Sequence, residues 1–408
     1  INHSEVTTPH ELRIQSLSKI PVIFWEIPRK IIEPSCGKGG YLIDIIYLCM
    51  NGLIQLYPNT IDRYKFIVEE CIYFSDINSS NIEICKSILD PHNKYKLNYN
   101  IGDTIGLDVK KKWNIDGFDL HVCNPPFEDI ENGVRKALNK NLWSEFLDWS
   151  YKYLLNDGYM LYITPPSWMS PAFKKKHIFY NNYIIYLNIA ECRRHFEIPS
   201  LFSYYLIQKT NTIGKTTVEC EYKKKVYKSE CNLNGMVYLP YLTTNHSINI
   251  IKKFMKNKLN KISFSTSCEL HNTTYKDKLQ DYKDDVFIYP VRHTAKRNIR
   301  YSCQKHSLQD KNKILMNLSG NLHPIFDEKT MGMTQAQLYL LTDDKNYVDI
   351  LNSRLYQFVF KICKWSGFNI KNIYLDIPYI SELKTDDELY GIFKLTKSEI
   401  DFVKSIDI

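Results

Sequence analysis

Phe118-Asp119-Leu120-His121-Val122-Cys123-Asn124-Pro125-Pro126-Phe127 is an apolar run of strand length that stops against two prolines. A run of this length, rich in aliphatic and aromatic side chains, reads as a buried strand. Proline has no N–H to give a ladder and is excluded from sheet interiors, so the strand closes at Asn124. The two prolines also fix the backbone that follows. Asn124 is therefore held at a strand end on a stiff tether, the kind of place where a parallel sheet displays functional groups.

The same arrangement recurs upstream. Lys30-Ile31-Ile32 reads as a short buried strand ending at Glu33-Pro34, followed by the glycine turn Gly37 to Gly40 and an apolar helix from Tyr41 to Asn51, stopped by Gly52. Cys71 to Ser75 reads as a strand ending at Asp76, then a helix from Ser79 to Leu89. Leu97 to Ile101 reads as a strand ending at Gly102-Asp103. Downstream, Trp143, Phe146, Leu147, Tyr151, Leu154 and Leu155 recur at helical spacing, and Asp157-Gly158 turns the chain into a strand from Tyr159 to Thr164. A first helix is expected from Pro9 to Ser18, with proline in its opening turn.

Strand alternating with helix predicts an α/β fold, a parallel sheet doubly wound by helices on both faces. Ligands on such sheets lie at the carboxyl ends of the strands. Glu33, Asp76, Asp103 and Asn124 each close a predicted strand, so one site built from all four is the central expectation. The glycine turn does not complete a dinucleotide fingerprint, because Leu42 stands at its third glycine position.

Composition narrows the classes. A chain of 408 residues suits two or three domains, and 44% apolar residues allow a sizeable core. The eleven cysteines include no Cys-x-x-Cys pair and several sit in apolar runs, which predicts reduced thiols and neither a zinc site nor a disulfide framework. The most apolar stretch, Tyr41 to Met50, is too short to span a bilayer and carries Asp44. An intracellular protein follows, in the cytoplasm or, for a eukaryotic or viral chain, in the nucleus or a viral factory. The net charge of +8 permits a polyanionic partner. Strand-helix alternation becomes irregular after about Thr210, where basic clusters appear. We expect residues 1–212 and 213–408 as two domains, and Lys223, Lys224, Arg292, Lys296, Arg297 and Arg300 as contacts to nucleic acid.

Asn124-Pro125-Pro126-Phe127 resembles the (Asn/Asp)-Pro-Pro-(Tyr/Phe) motif of amino-methyltransferases. The chemistry explains the residue types. An adenine exocyclic amine is a poor nucleophile because its lone pair is delocalised into the ring. Two acceptors, an asparagine oxygen and the rigid carbonyl of Pro125, can hold its hydrogens and pull the nitrogen towards tetrahedral geometry. Phe127 would stack on the base. Glu33-Pro34-Ser35-Cys36-Gly37-Lys38-Gly39-Gly40 resembles the cofactor loop of the same enzymes, (Asp/Glu)-Pro-x-x-Gly-x-Gly. Val6-Thr7-Thr8-Pro9 resembles their N-terminal Thr-Pro segment. The order of segments resembles the gamma group of DNA adenine-N6 methyltransferases of type II restriction-modification systems over residues 5–210. More thinly, Leu351-Asn352-Ser353-Arg354-Leu355, Gly367 and Leu375-Asp376-Ile377-Pro378 resemble the end of their target-recognition domains.

The resemblance implies a Rossmann-like methyltransferase sheet, a C-terminal α+β target-recognition domain and S-adenosylmethionine as cofactor. It implies transfer of a methyl group to the N6 amine of an adenine flipped out of double-stranded DNA, with a cognate restriction endonuclease as a candidate partner. It assigns Asn124, Pro125, Pro126 and Phe127 to catalysis. Thr8, Pro9, Glu33, Pro34, Ser35, Gly37, Gly39, Asp76, Ile77 and Asp103 fall to the cofactor, and no residue to a metal. An apolar slot for the base is expected between Phe127 and Phe196, with Phe202 as the rival of Phe196. Plainer roles stand beside these: Asn-Pro-Pro as a turn, Asp76 as a helix cap, Asp103 as a cap or turn residue. RNA or protein-glutamine methylation, and a non-catalytic DNA-binding subunit, are the alternative functions. The long basic C-terminal region favours DNA, and the intact motifs favour catalysis.

Overall fold

The computed structural model describes residues 7–127, 130–131, 134–135, 141–196, 201–274, 276–294, 297–318, 320–364 and 371–408; side chains are described for these except 130, 131, 134, 135, 193, 297, 298 and 371. The chain divides into two compact units, one of residues 1–168 and 174–237, the other of 169–173 and 238–408.

The first unit is built on β1 (Ile31–Glu33), β2 (Ile72–Asp76), β3 (Asn98–Ile101), β4 (Phe118–Cys123), β5 (Leu154–Thr164), β6 (Tyr183–Asn188), β7 (Ser203–Gln208), β8 (Thr216–Tyr222) and β9 (Lys225–Cys231). They form one sheet in the order β9-β8-β6-β7-β5-β4-β1-β2-β3. Pairing is parallel from β3 through β2, β1 and β4 to β5. It is antiparallel where β7 enters between β5 and β6. Strand order reverses at β1, whose neighbours are β2 on one side and β4 on the other; this is the switch point at which such sheets open a crevice.

Successive side chains of the central strands serve opposite faces. Ile31, Ile72 and Phe74 join one apolar cluster with Leu42, Ile45 and Ile82, while Ile32, Tyr73 and Phe118 join another with Val109 and Trp149. A sheet buried on both faces explains why these strands read as continuous apolar runs. Helix α1 (His10–Leu17), α2 (Gly40–Gly52) and α3 (Ser79–Leu89) supply the first cover, α4 (Leu142–Tyr153) the second. The last residue of α2 must be glycine, because a Cβ at Gly52 would lie 2.1 Å from the Trp25 carbonyl oxygen. Strand β5 begins earlier than its periodicity predicts: Leu154 already pairs with Phe118, and the ladder slips between Phe118 and Leu120 before Tyr159 resumes it.

The first unit runs past the expected boundary at 212. Strands β8 and β9 form a hairpin that extends the sheet edge, β8 pairing parallel with β6. The lysine pair Lys223-Lys224 is its two-residue turn, with positive φ of 48° and 67° at the two positions, as a type I′ turn requires.

The second unit is α+β. Among the described residues it carries two four-stranded sheets, a two-stranded sheet and five α-helices: α5 (Asn245–Lys256), α6 (Tyr347–Asn352), α7 (Arg354–Ile362), α8 (Asp386–Ile392) and α9 (Lys397–Ser405). Thr385 and Thr396 start the last two helices with capping boxes to Glu388 and Glu399. Leu351 and Leu355 are core residues of the helix pair at 347–362, and the Arg354 guanidinium donates to the Val403 carbonyl at 3.0 Å, closing the end of α9. Gly367 lies outside the described residues. Among the described residues, no helix is long and apolar enough to cross a membrane.

Candidate functional site

A cavity of about 220 Å³ opens at the switch point. Glu33 closes β1 at its floor, Ser35, Cys36, Gly37 and Lys38 come from the glycine turn, and Asp76 and Ile77 come from the end of β2. Thr8, Arg13, Asn124, Pro125, Pro126 and Phe127 complete the wall. Four segments far apart in sequence thus meet at the carboxyl ends of adjacent strands. Gly39 takes φ +79° to turn the loop into α2, and a Cβ there would meet Cys85 Sγ at 2.9 Å, so only glycine fits.

The carboxylates of this site are held in different ways. Asp76 Oδ2 accepts from the Gly37 N–H at 2.9 Å and Oδ1 from the Asn78 N–H at 2.8 Å, so this side chain ties the end of β2 to the glycine loop. The cap of α3 is Asn78, whose oxygen accepts from Ser80 N at 3.0 Å. Glu33 is 4% exposed and its Oε2 has no hydrogen-bond partner. Burial, reinforced by Cys85 and Asp76, holds its carboxyl well above the usual range, against the pull of Arg13. A buried acceptor at a cavity wall with nothing to accept is a group awaiting a donor.

At the opposite wall, Asn124 donates its amide N–H to Thr8 Oγ1 at 3.1 Å. The Thr-Pro segment is thereby fastened to the residue that closes β4.

Other predicted residues stand elsewhere. Pro9, Pro34, Gly39 and Asp103 do not line the cavity. Asp103 spends both oxygens on the turn it begins, accepting from Ile105 N at 3.0 Å and Gly106 N at 3.2 Å, the plainer of its two expected roles. The slot expected between Phe127 and Phe196 is bridged by a third ring. Phe202 stacks on Phe127 with centroids 4.9 Å apart and meets Phe196 edge-on at 5.6 Å. Phe196 is buried and does not line the cavity.

The basic residues of the second unit divide differently from expectation. Arg292 is 6% exposed and donates to the carbonyls of Leu315 at 3.2 Å and His323 at 2.7 Å. Burial lowers its pKa to about 10. Arg300 is tied to Asp281, Asn272 and the Leu279 carbonyl. Both are ties within the fold, not cations facing outward. Lys296 and the Arg297 side chain lie outside the described residues; Lys223 and Lys224 are exposed. Arg13, Asn78 and Asn81 line the cavity without having been singled out in the sequence, and Cys36, Lys38 and Tyr41 line it without having been assigned to the cofactor. Among the described residues, no group of three or more histidine, cysteine or acidic side chains could hold a metal.

No protein-family model matches this sequence, and no curated protein does. Solved structures do match. A nuclease-deletion mutant of the Type ISP restriction-modification enzyme LlaGI, in complex with a DNA substrate mimic, aligns over 96% of this chain and 54% of its own, with a TM-score of 0.56 at 10% identity. The Type IIL restriction-modification enzyme MmeI, in complex with DNA, aligns over 91% of this chain and 64% of its own, with a TM-score of 0.52 at 8% identity. The M protein of the type I restriction enzyme EcoKI aligns over 53% of this chain and 48% of its own, with a TM-score of 0.40 at 15% identity. This chain therefore spans roughly half the length of the proteins it matches. At these identities the likeness is one of fold, that of a Rossmann-like doubly wound sheet.

The residues of the cavity suit S-adenosylmethionine. The orphaned Glu33 oxygen calls for a donor such as an α-amino group, the glycine turn lets backbone approach a ligand, and the Ile77 side chain offers an apolar surface beside Asp76.

Proposed function

We propose that this chain is an S-adenosylmethionine-dependent methyltransferase that modifies the N6 amine of an adenine flipped out of double-stranded DNA, as part of a restriction-modification system. The observation that carries this reading is the meeting of two segments at one cavity: the glycine turn with the unpartnered Glu33 oxygen, and Asn124-Pro125-Pro126-Phe127 fastened by Thr8. The DNA complexes of LlaGI and MmeI, whose folds this chain shares, support DNA as the substrate.

Glu33, Ser35, Gly37, Asp76 and Ile77 hold the cofactor. When bound, it supplies a methyl group on a positively charged sulfur that leaves as a neutral thioether. Asn124 and the Pro125 carbonyl accept hydrogen bonds from the two hydrogens of the adenine amine and localise its lone pair on nitrogen; once methylated, the cationic nitrogen returns to neutrality by losing one of these protons to solvent. Pro126 keeps the carbonyl aimed, and Phe127 offers a ring to the base. Phe202 occupies the stacking position on Phe127, so an entering base takes its place there. The exposed Lys223-Lys224 turn is a contact for phosphate.

Asn124→Ala tests the reading. With tritium-labelled S-adenosylmethionine and unmethylated phage DNA, we expect transfer to fall by about 10²–10³-fold, as for loss of one positioned hydrogen-bonding group. Calorimetric affinity for the cofactor stays near the parental value. Transfer at the parental rate would overturn the assignment, and mass analysis of the hydrolysed DNA reads out which base carries the methyl.

A further inference from the structure

Residues 7–9 have no regular secondary structure, yet Thr8 in this stretch bonds Asn124. What fixes Thr8 is the Arg13 side chain, reaching back from the first turn of α1. Its Nη1 donates to the Thr8 carbonyl at 2.8 Å. Its Nε donates to Asp44 Oδ2 at 2.5 Å, and its Nη2 lies 3.2 Å from His10 Nδ1. Each of the three nitrogens has its own partner, so the guanidinium has one orientation. Its partner Asp44 is the fifth residue of α2, just past the first turn, with its side chain 7% exposed. The guanidinium packs closely on the start of α2: a Cβ at Gly40 would lie 3.0 Å from Arg13 Nη1.

A buried ion pair gains little net stability over apolar residues of the same shape, because desolvation offsets its attraction. One kept here, beside a cavity and bonded to the segment that holds Asn124, has a geometric use. We infer that Arg13 and Asp44 are positioning residues for Asn124, acting through Thr8: the ion pair fixes the Thr8 backbone, and the Thr8 hydroxyl fixes the Asn124 amide against the cavity wall. The inference rests on the reading of Asn124 as the group that grips the adenine amine. Asp44 belongs to the helix that follows the cofactor loop, so the chain of contacts ties that helix to the substrate side of the site.

The test uses the full chain, unmethylated phage DNA and tritium-labelled S-adenosylmethionine, with single-turnover transfer, cofactor calorimetry and thermal unfolding measured on each variant. Arg13→Met and Thr8→Val should each slow transfer by about 10–10²-fold, the scale on which a misplacement of an ångström acts. Because Thr8 and Arg13 also line the cavity, transfer is compared at saturating cofactor, so that a change in cofactor affinity is separated from the change in rate. Thr8→Ser, which keeps the hydroxyl, should recover most of what Thr8→Val loses. Asp44→Asn, which keeps an acceptor for Nε, should lose less than Asp44→Ala. Arg13→Met combined with Thr8→Val should be no slower than the worse single variant, because both cut one chain of contacts. Parental transfer rates, losses confined to cofactor affinity, or a double variant whose loss is the product of the singles would each overturn the inference. Should Arg13→Met not fold, the Asp44 and Thr8 pairs decide alone. Asn124→Ala run alongside separates the two readings. Its retained activity defeats the proposed function, whereas its inactivity beside a fully active Arg13→Met defeats only the positioning role.

Discussion

Buried charge is arranged differently in the two units. In the first, Glu33 is 4% exposed, faces a cavity and keeps one oxygen without a partner. In the second, Lys313 and Asp327 are 0% and 2% exposed and face each other at 2.5 Å. Asp327 accepts further from the Met331 and Thr330 backbone, and Lys313 donates to the Lys311 carbonyl. Burial alone therefore does not mark a site. At Glu33 burial comes with an unfilled valence at a cavity wall, whereas at Asp327 it comes with both oxygens engaged, and the Lys313 pair acts as a brace.

That contrast can be broken by substitution. The largest effect on stability should come from Asp327→Leu, which strands the Lys313 ammonium in the interior. We expect a loss of about 3–5 kcal/mol in urea unfolding. Adding Lys313→Met should recover most of it, since the apolar pair leaves no charge behind. If Asp327→Leu alone costs nothing, the pair is not a brace.

Glu33→Gln should act through pH. Burial raises the folded-state pKa of Glu33 above its ordinary 4.5, so between those two values the unfolded chain has released a proton that the folded chain retains. Glu33 therefore erodes stability as pH rises from about 4.5 towards the folded-state value, and beyond that the full penalty stands. The glutamine variant should lack this decline, read as a flatter plot of urea midpoint against pH. It should also bind S-adenosylmethionine more weakly by calorimetry. Identical pH plots would mean that Glu33 is as well satisfied as Asp327.

The smallest effect concerns a cation in neither class. Lys224 is exposed on the hairpin turn with φ of 67°, a conformation that costs a side-chain-bearing residue about 1 kcal/mol. Lys224→Gly should raise the melting temperature slightly while reducing the salt dependence of DNA binding. An unchanged salt slope would remove this turn from the DNA face.

Much of the first unit was legible because its signals are local. Strand β4 and helix α3 have the bounds the sequence predicts, and Glu33, Asp76 and Asn124 could be placed at strand ends from apolar periodicity and the prolines and glycines beside them. Arg13 and Asp44 could not, because their pairing spans 31 positions and depends on how α1 lies against α2. Asp103 misled because an aspartate closing a strand looks the same whether it serves a ligand or its own turn. Arg292 and Arg300 misled for a related reason: charge along a sequence does not say which way a side chain points, and both guanidiniums find their acceptors within the fold. The extent of the first unit was obscured by composition. Strand β9 is lysine-rich because it is an exposed sheet edge, which a linear reading assigns to a separate basic module.

The segment at residues 169–173 has a practical consequence. The chain leaves the first unit after Trp168, returns at Lys174 and leaves again after Val237. A single cut at Val237 would therefore not separate the units cleanly, since residues 169–173 of the second unit precede it in the chain. A chimera that exchanges the second unit would have to carry this pentapeptide along. Chimeras joined only at 237/238 should be less soluble than those that also transplant 169–173.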